Sequence, residues 1–116
     1  MTKKFKLSAD EIKPLVSGFG ACFASDMITV DGHPVRFMYR ETPERDVDSG
    51  WRFFSGYESD EFANTPSNIG IYGVNTIANY DPSIIPVLEA PIGSAFEKSN
   101  DGEKWSIVTD WAPSDE

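Results

Sequence analysis

Two reverse-turn signals constrain this chain more than anything else in it. Asp31-Gly32 lies between the runs Met27–Val30 and Val35–Arg40, and Asn100-Asp101-Gly102 lies between Ser94–Lys98 and Trp105–Val108. An Asp-Gly pair supplies the positive φ that a tight hairpin turn requires, so each signal reads as a β-hairpin. In the first, the register predicts Val30 opposite His33, Ile28 opposite Val35 and Asp26 opposite Phe37. One face then collects Ile28, Val30, Val35, Phe37 and Tyr39, with Arg36 and Arg40 on the other. Pro34, lacking an N–H, is expected to set that end at a sheet edge.

The remaining segments are weaker. Trp51–Ser55 reads as a third strand between Gly50 and Gly56, and Ile69–Val74 as another. Tyr57 to Pro66 reads as a loop or one helical turn. Ser8 and Glu11 have capping-box spacing, and Ile12, Val16 and Phe19 share a helical face, which predicts a short N-terminal helix within 8–20. Pro14 moves its start to near Asp10, and Gly18 or Gly20 ends it. Asp81-Pro82 resembles an N-cap and first-turn proline, opening a short helix over roughly 82–89. No repeat or linker divides the 116 residues. The expected fold is α+β: one domain over 1–116, mainly antiparallel sheet, with a short N-terminal helix and one or two further short helices.

Charge narrows the function. Residues 14–116 carry 17 acids against 6 bases, while the first 13 carry four lysines and two acids. A net charge of −9 repels nucleic acid and favours association with a cationic partner. No apolar run approaches the length of a membrane span. The start MTKKFKLSADEIK has no apolar stretch after its lysines, and one cysteine excludes an internal disulfide, so the expected address is cytoplasmic.

The chemistry concentrates in Asp46–Glu61, DVDSGWRFFSGYESDE. Trp51, Phe53 and Phe54 lie between two glycines, flanked by Asp46, Asp48, Glu58, Asp60 and Glu61. Aromatic anchors in an acidic rim suit a protein-docking surface, because buried rings hold a partner while charges steer its approach. Alternation would place Trp51 and Phe53 in the core, leaving Arg52 and Phe54 outward. The candidate partner-binding residues are Asp46, Asp48, Phe54, Tyr57, Glu58, Asp60 and Glu61. The block has no histidine, cysteine or lysine for proton work, so no catalytic residue is assigned. Metal and cofactor sites are not expected either. One His and one Cys make no zinc set, and Asp46-x-Asp48 departs from a calcium loop at its glycine and its twelfth residue. Cys22 and His33 lie too far apart along the first hairpin to act together.

Three segments, CFASDMITVDGHPVRFMYRE, DSGWRFFSGYESDE and NIGIYGVNTIANYDPSIIPVLEAPIGSAFE, resemble a bacterial family first catalogued as a domain of unknown function and later named immunity protein 33. The resemblance covers roughly residues 20–97. It implies a small cytosolic protein that neutralises a cognate protein toxin of a polymorphic toxin system by binding it, and it carries over no catalytic residue. Many toxin domains are basic, nucleases above all, which fits the acidic surface. The alternative is a small-ligand-binding or regulatory domain with a pocket near Tyr72, Asn75, Asn79 and Tyr80. A more distant alternative is a carboxylate-dependent hydrolase.

Overall fold

The computed structural model describes residues 5–7, 9–43, 46–99 and 104–108. Six strands pair in one sheet: Ala21–Ser25 (β1), Phe37–Arg40 (β2), Asp48–Phe54 (β3), Ile69–Gly73 (β4), Ala95–Lys98 (β5) and Trp105–Ile107 (β6). Their order is β4-β1-β3-β2-β5-β6, antiparallel throughout except for the parallel pair of β1 with β3. Short helices connect them: Asp26–Thr29 (α1), Asp60–Ala63 (α2) and Val74–Tyr80 (α3), with a 3₁₀ stretch over Pro82–Val87. The α+β expectation for a single compact domain therefore holds.

Period-two alternation sorts the sheet into two faces. Cross-strand register aligns Ala24, Phe53, Met38 and Phe96 on one side. There Cys22, Ala24, Met38, Trp51 and Phe53 close against Val74, Ile77 and Ala78 of α3, Ile28 of α1, and Ile84 and Leu88. Trp51 and Phe53 are fully buried, as the alternation anticipates, and the Trp51 indole N–H donates to the Leu88 carbonyl at 3.0 Å. Phe23, Arg52, Tyr39, Phe37, Phe54 and Glu97 occupy the other side.

The first hairpin does not form. Ser25 caps a helix instead, its hydroxyl accepting from the Met27 N–H, and Met27 and Ile28 become helical. Gly32 does take positive φ, +83°, but it ends this turn: its N–H donates to the Ile28 carbonyl and that of His33 to Met27. A left-handed glycine terminates a helix as readily as it closes a hairpin, so the local signal fits both outcomes. Strand β2 pairs with β3 and β5 instead, inside the sheet, and the edges are β4 and β6. The edge expected at Pro34 is therefore absent.

The N-terminal helix is also corrected. Only Ala9–Glu11 makes a 3₁₀ turn, and residues 12–17 run without regular structure along α3. Pro14 removes a helical N–H, and Asn75 and Asn79 of α3 supply the backbone of 13–16 with other partners. The second hairpin forms as expected, Phe96 opposite Ile107 and Lys98 opposite Trp105; its turn, 100–102, lies outside the described residues. The Asp81 cap also forms, its carboxylate accepting from the Ser83 N–H. Ile69–Val74 is a strand up to Gly73, where α3 begins. Val74, Ile77 and Ala78 of that helix share its buried face.

Gly50 lies within β3 at φ +89°, at the register shift between β1 and β3. A Cβ there would stand 2.2 Å from the Glu41 carbonyl oxygen, a backbone atom with no room to yield. Gly50→Ala therefore combines left-handed strain with a backbone clash and should cost at least ~2 kcal/mol. Urea denaturation checks this; an unchanged midpoint would show that the bulge relaxes freely.

The open face of the sheet as candidate functional site

The helices α1 and α3 pack on one side of the sheet; on the opposite side Phe23, Phe37, Tyr39 and Phe54 are half-buried, Arg52 is buried, and α2 flanks the ends of β2, β3 and β5. Ile71 of β4, which pairs with Phe23, is 64% exposed there. A groove of about 620 Å³ cuts into this face between the ends of β2, β3 and β5 and the segment that leads into α2. Phe37, Tyr39 and Phe54 line it with half-buried rings. Tyr39 lies 5.8 Å from Phe37 and 6.1 Å from Phe54, the latter pair nearly parallel at 10°. Burial, and then the charge of Glu41, push the Tyr39 phenol above its ordinary range.

Carboxylates and cations share the rim. Glu58 holds the groove's end together: its oxygens accept from the Ser55 N–H and hydroxyl, each at 2.8 Å, and from the Gly56 N–H at 3.0 Å. Burial would raise its pKa, but hydrogen bonds from Ser25 and Ser55 outweigh this and hold it below its usual value. Asp60 and Glu97 line the groove from α2 and β5 and are exposed. The two cations have partners. Arg36 donates to the Ser99 carbonyl, and Lys98 turns its ammonium to Asp81 at 2.7 Å. Asp81 also accepts from the Val35 N–H and from Ser83. Burial opposes its ionisation, yet Lys98 and Ser83 keep its pKa below the ordinary carboxylate value.

Further along the same face stands a second arrangement. Arg52 is 2% exposed, its guanidinium 4.2 Å from the centre of the Phe23 ring. Asp48 receives it bidentately at 2.9 and 2.8 Å, and Glu41 takes its Nε–H. Burial disfavours the charged guanidinium, but the two carboxylates raise its pKa further. Beneath it Cys22 is buried, and desolvation pushes its thiol far above its ordinary range, which keeps it protonated. His33 is exposed, in ring contact with Tyr57 at 5.0 Å.

The structure divides the sequence-predicted residues into two groups. Phe54, Glu58 and Asp60 meet in the groove, and Tyr57 and Glu61 lie exposed beside them on the same segment. Asp48 opens β3 at its opposite end, six residues or roughly 20 Å from Phe54, and Asp46 lies in the turn just before it. Asp46 is exposed, whereas the Asp48 side chain is 8% exposed in its pairing with Arg52. Sequence reasoning missed Phe37, Tyr39 and Glu97. The alternation of Phe37 and Tyr39 was visible, but the hairpin register assigned them to the face of Ile28.

The residues of the ligand-pocket alternative are occupied by the chain itself. Asn75 accepts from the Leu15 and Val16 N–H groups and donates to the Lys13 carbonyl. Asn79 accepts from the Lys13 N–H and donates to the same carbonyl. The Tyr80 hydroxyl bridges Leu7 and Thr29, and Tyr72 bonds Thr29. Among the described residues, no three His, Cys, Asp or Glu side chains come together as a metal set. No helix there is long and apolar enough to cross a membrane.

A family model described as the immunity protein Imm33 domain matches residues 22–109, most of the chain. That span includes β6 and the whole groove and excludes the N-terminal segment held by Asn75 and Asn79. No curated protein and no solved structure matches the chain.

Two outcomes are expected. Replacing both Asn75 and Asn79 by alanine should remove hydrogen-exchange protection at Lys13, Leu15 and Val16 while leaving β3 protected; retained protection would show that packing alone holds the segment. Asp81 and Glu58 have folded pKa values below their unfolded ones, so their contribution is present above roughly pH 4 and lost as pH falls through the lower folded values. Denaturation midpoints should be level near neutrality and fall below about pH 4, and less steeply in Asp81→Asn. An identical acid profile in that variant would remove Asp81 from this account.

Proposed function

Because this chain belongs to the Imm33 immunity-protein family, we propose that it is a cytoplasmic immunity protein that neutralises a cognate protein toxin by stoichiometric, non-catalytic binding. The family match carries this reading. The sheet face opposite α1 and α3 supports it: a half-buried aromatic surface, flanked by the short α2, is what a partner with a complementary surface would bury. The acids of 58–61 stand beside that face, and a chain of net charge −9 would accelerate encounter with a basic toxin.

In this reading the docking contacts are Phe54, Tyr57, Asp60 and Glu61, with Glu58 fixing the loop that presents them. Asp46, at the far end of β3, contributes to the overall field, and Asp48 acts through Arg52. No nucleophile, paired acid and base, or metal set in the described residues suggests turnover, and the Tyr72–Asn79 region serves the fold instead of a ligand.

Capture from lysate of the native host, followed by a growth-protection assay with the captured protein, tests the proposal. One basic partner bound at one-to-one ratio, whose toxicity ends at equimolar chain, is the expected result. Protection at far below equimolar amounts would point to a catalytic mechanism and sink it. Within such a complex, Asp60→Lys with Glu61→Lys should slow association about tenfold and flatten its salt dependence, while Asp46→Lys changes it far less. Equal effects from both ends of β3 would overturn this placement of the contacts.

A further inference from the structure

Resting on that reading, we infer that the groove is a receptor for an arginine side chain carried on an exposed loop of the partner. The chemistry is that of the rim and the walls together. Tyr39 and Phe54 present nearly parallel rings, 10° apart, with Phe37 beside them. A planar guanidinium stacks on such ring faces and forks to carboxylates, which a compact ammonium does less well. Asp60 and Glu97 line the same groove from opposite sides, exposed, and no ion pair among the described residues engages either.

The protein already builds this arrangement once on the same face. Arg52 lies 4.2 Å over the Phe23 ring with Asp48 and Glu41 around its guanidinium. The groove holds the same ingredients, rings and carboxylates; Arg36 and Lys98 also line it, Arg36 donating to the Ser99 carbonyl and Lys98 paired with Asp81. Lys98 is neutralised by Asp81, so the groove sets three carboxylates, Glu58, Asp60 and Glu97, against the one remaining charge of Arg36 and keeps an acidic balance. A cationic side chain is therefore the occupant that charge complementarity selects, and the flat aromatic pair selects arginine over lysine.

The experiment is a titration of the isotope-labelled full chain, followed by amide and aromatic resonances, with capped tetra-arginine, tetra-lysine and tetra-glutamate peptides. Expected are shifts concentrated at Phe37, Tyr39, Phe54, Asp60 and Glu97, saturating with tetra-arginine at least threefold more tightly than with tetra-lysine and absent with tetra-glutamate. Glu97→Gln, at an exposed position that leaves the fold intact, and Tyr39→Leu should each weaken tetra-arginine about threefold. Shifts spread over the whole acidic surface, equal response to arginine and lysine, or full affinity in both variants would overturn the inference. Each of those outcomes leaves the immunity reading standing, since capture and growth protection decide that one; a failure of protection with the peptide seated in the groove would sink the immunity reading and keep the groove as an arginine receptor.

Discussion

Alternation along β3 organises this molecule. Trp51 and Phe53 point to the helices and are fully buried, while Arg52 and Phe54 point to the opposite face. β3 pairs with β1 on one side and β2 on the other, so its two faces set the two faces of the sheet. Trp51 and Phe53 are the two largest fully buried side chains among the described residues, and truncating either would cost about 3–5 kcal/mol. A one-residue slip would bring Arg52 into that core and turn Trp51 to the opposite face. Gly50, where the strand bulges against the Glu41 carbonyl, fixes the register at which this does not happen.

Arg52 shows how an open sheet face tolerates a charge. Its guanidinium is shielded by Phe23 beneath and by Asp48 and Glu41 around it, so the ion is both desolvated and fully paired. Such a pairing contributes little net stability compared with an apolar replacement, yet removal of one partner leaves a buried charge uncompensated. It keeps Asp48, an acid that would otherwise add to the surface field, inside the fold.

The N-terminal segment follows a different logic. Residues 13–16 take no regular structure, yet Asn75 and Asn79 satisfy their backbone as a neighbouring strand would. Val16 and Phe19 then pack against the core beside α3. The same two asparagines, read in isolation, look like polar groups converging on a ligand. They converge instead on the chain's own peptide groups.

Much of this was legible in the residues. The spacing of Trp51, Arg52, Phe53 and Phe54 fixed which side chains share a face, Asp81-Pro82 fixed a cap, and the excess of acids fixed the sign of the surface field. Residues 20–97 also carried a recognisable family pattern. These are properties of neighbouring residues or of summed composition, so they survive without knowledge of the rest of the chain. Tertiary structure alone decided that Gly32 ends a helix, that Phe37 and Tyr39 join Phe54 in a groove, and that Asp48 faces Arg52. A glycine specifies a dihedral angle and an alternating strand specifies two faces. Which partner lies across each face depends on strands distant in sequence, and only their packing chooses it.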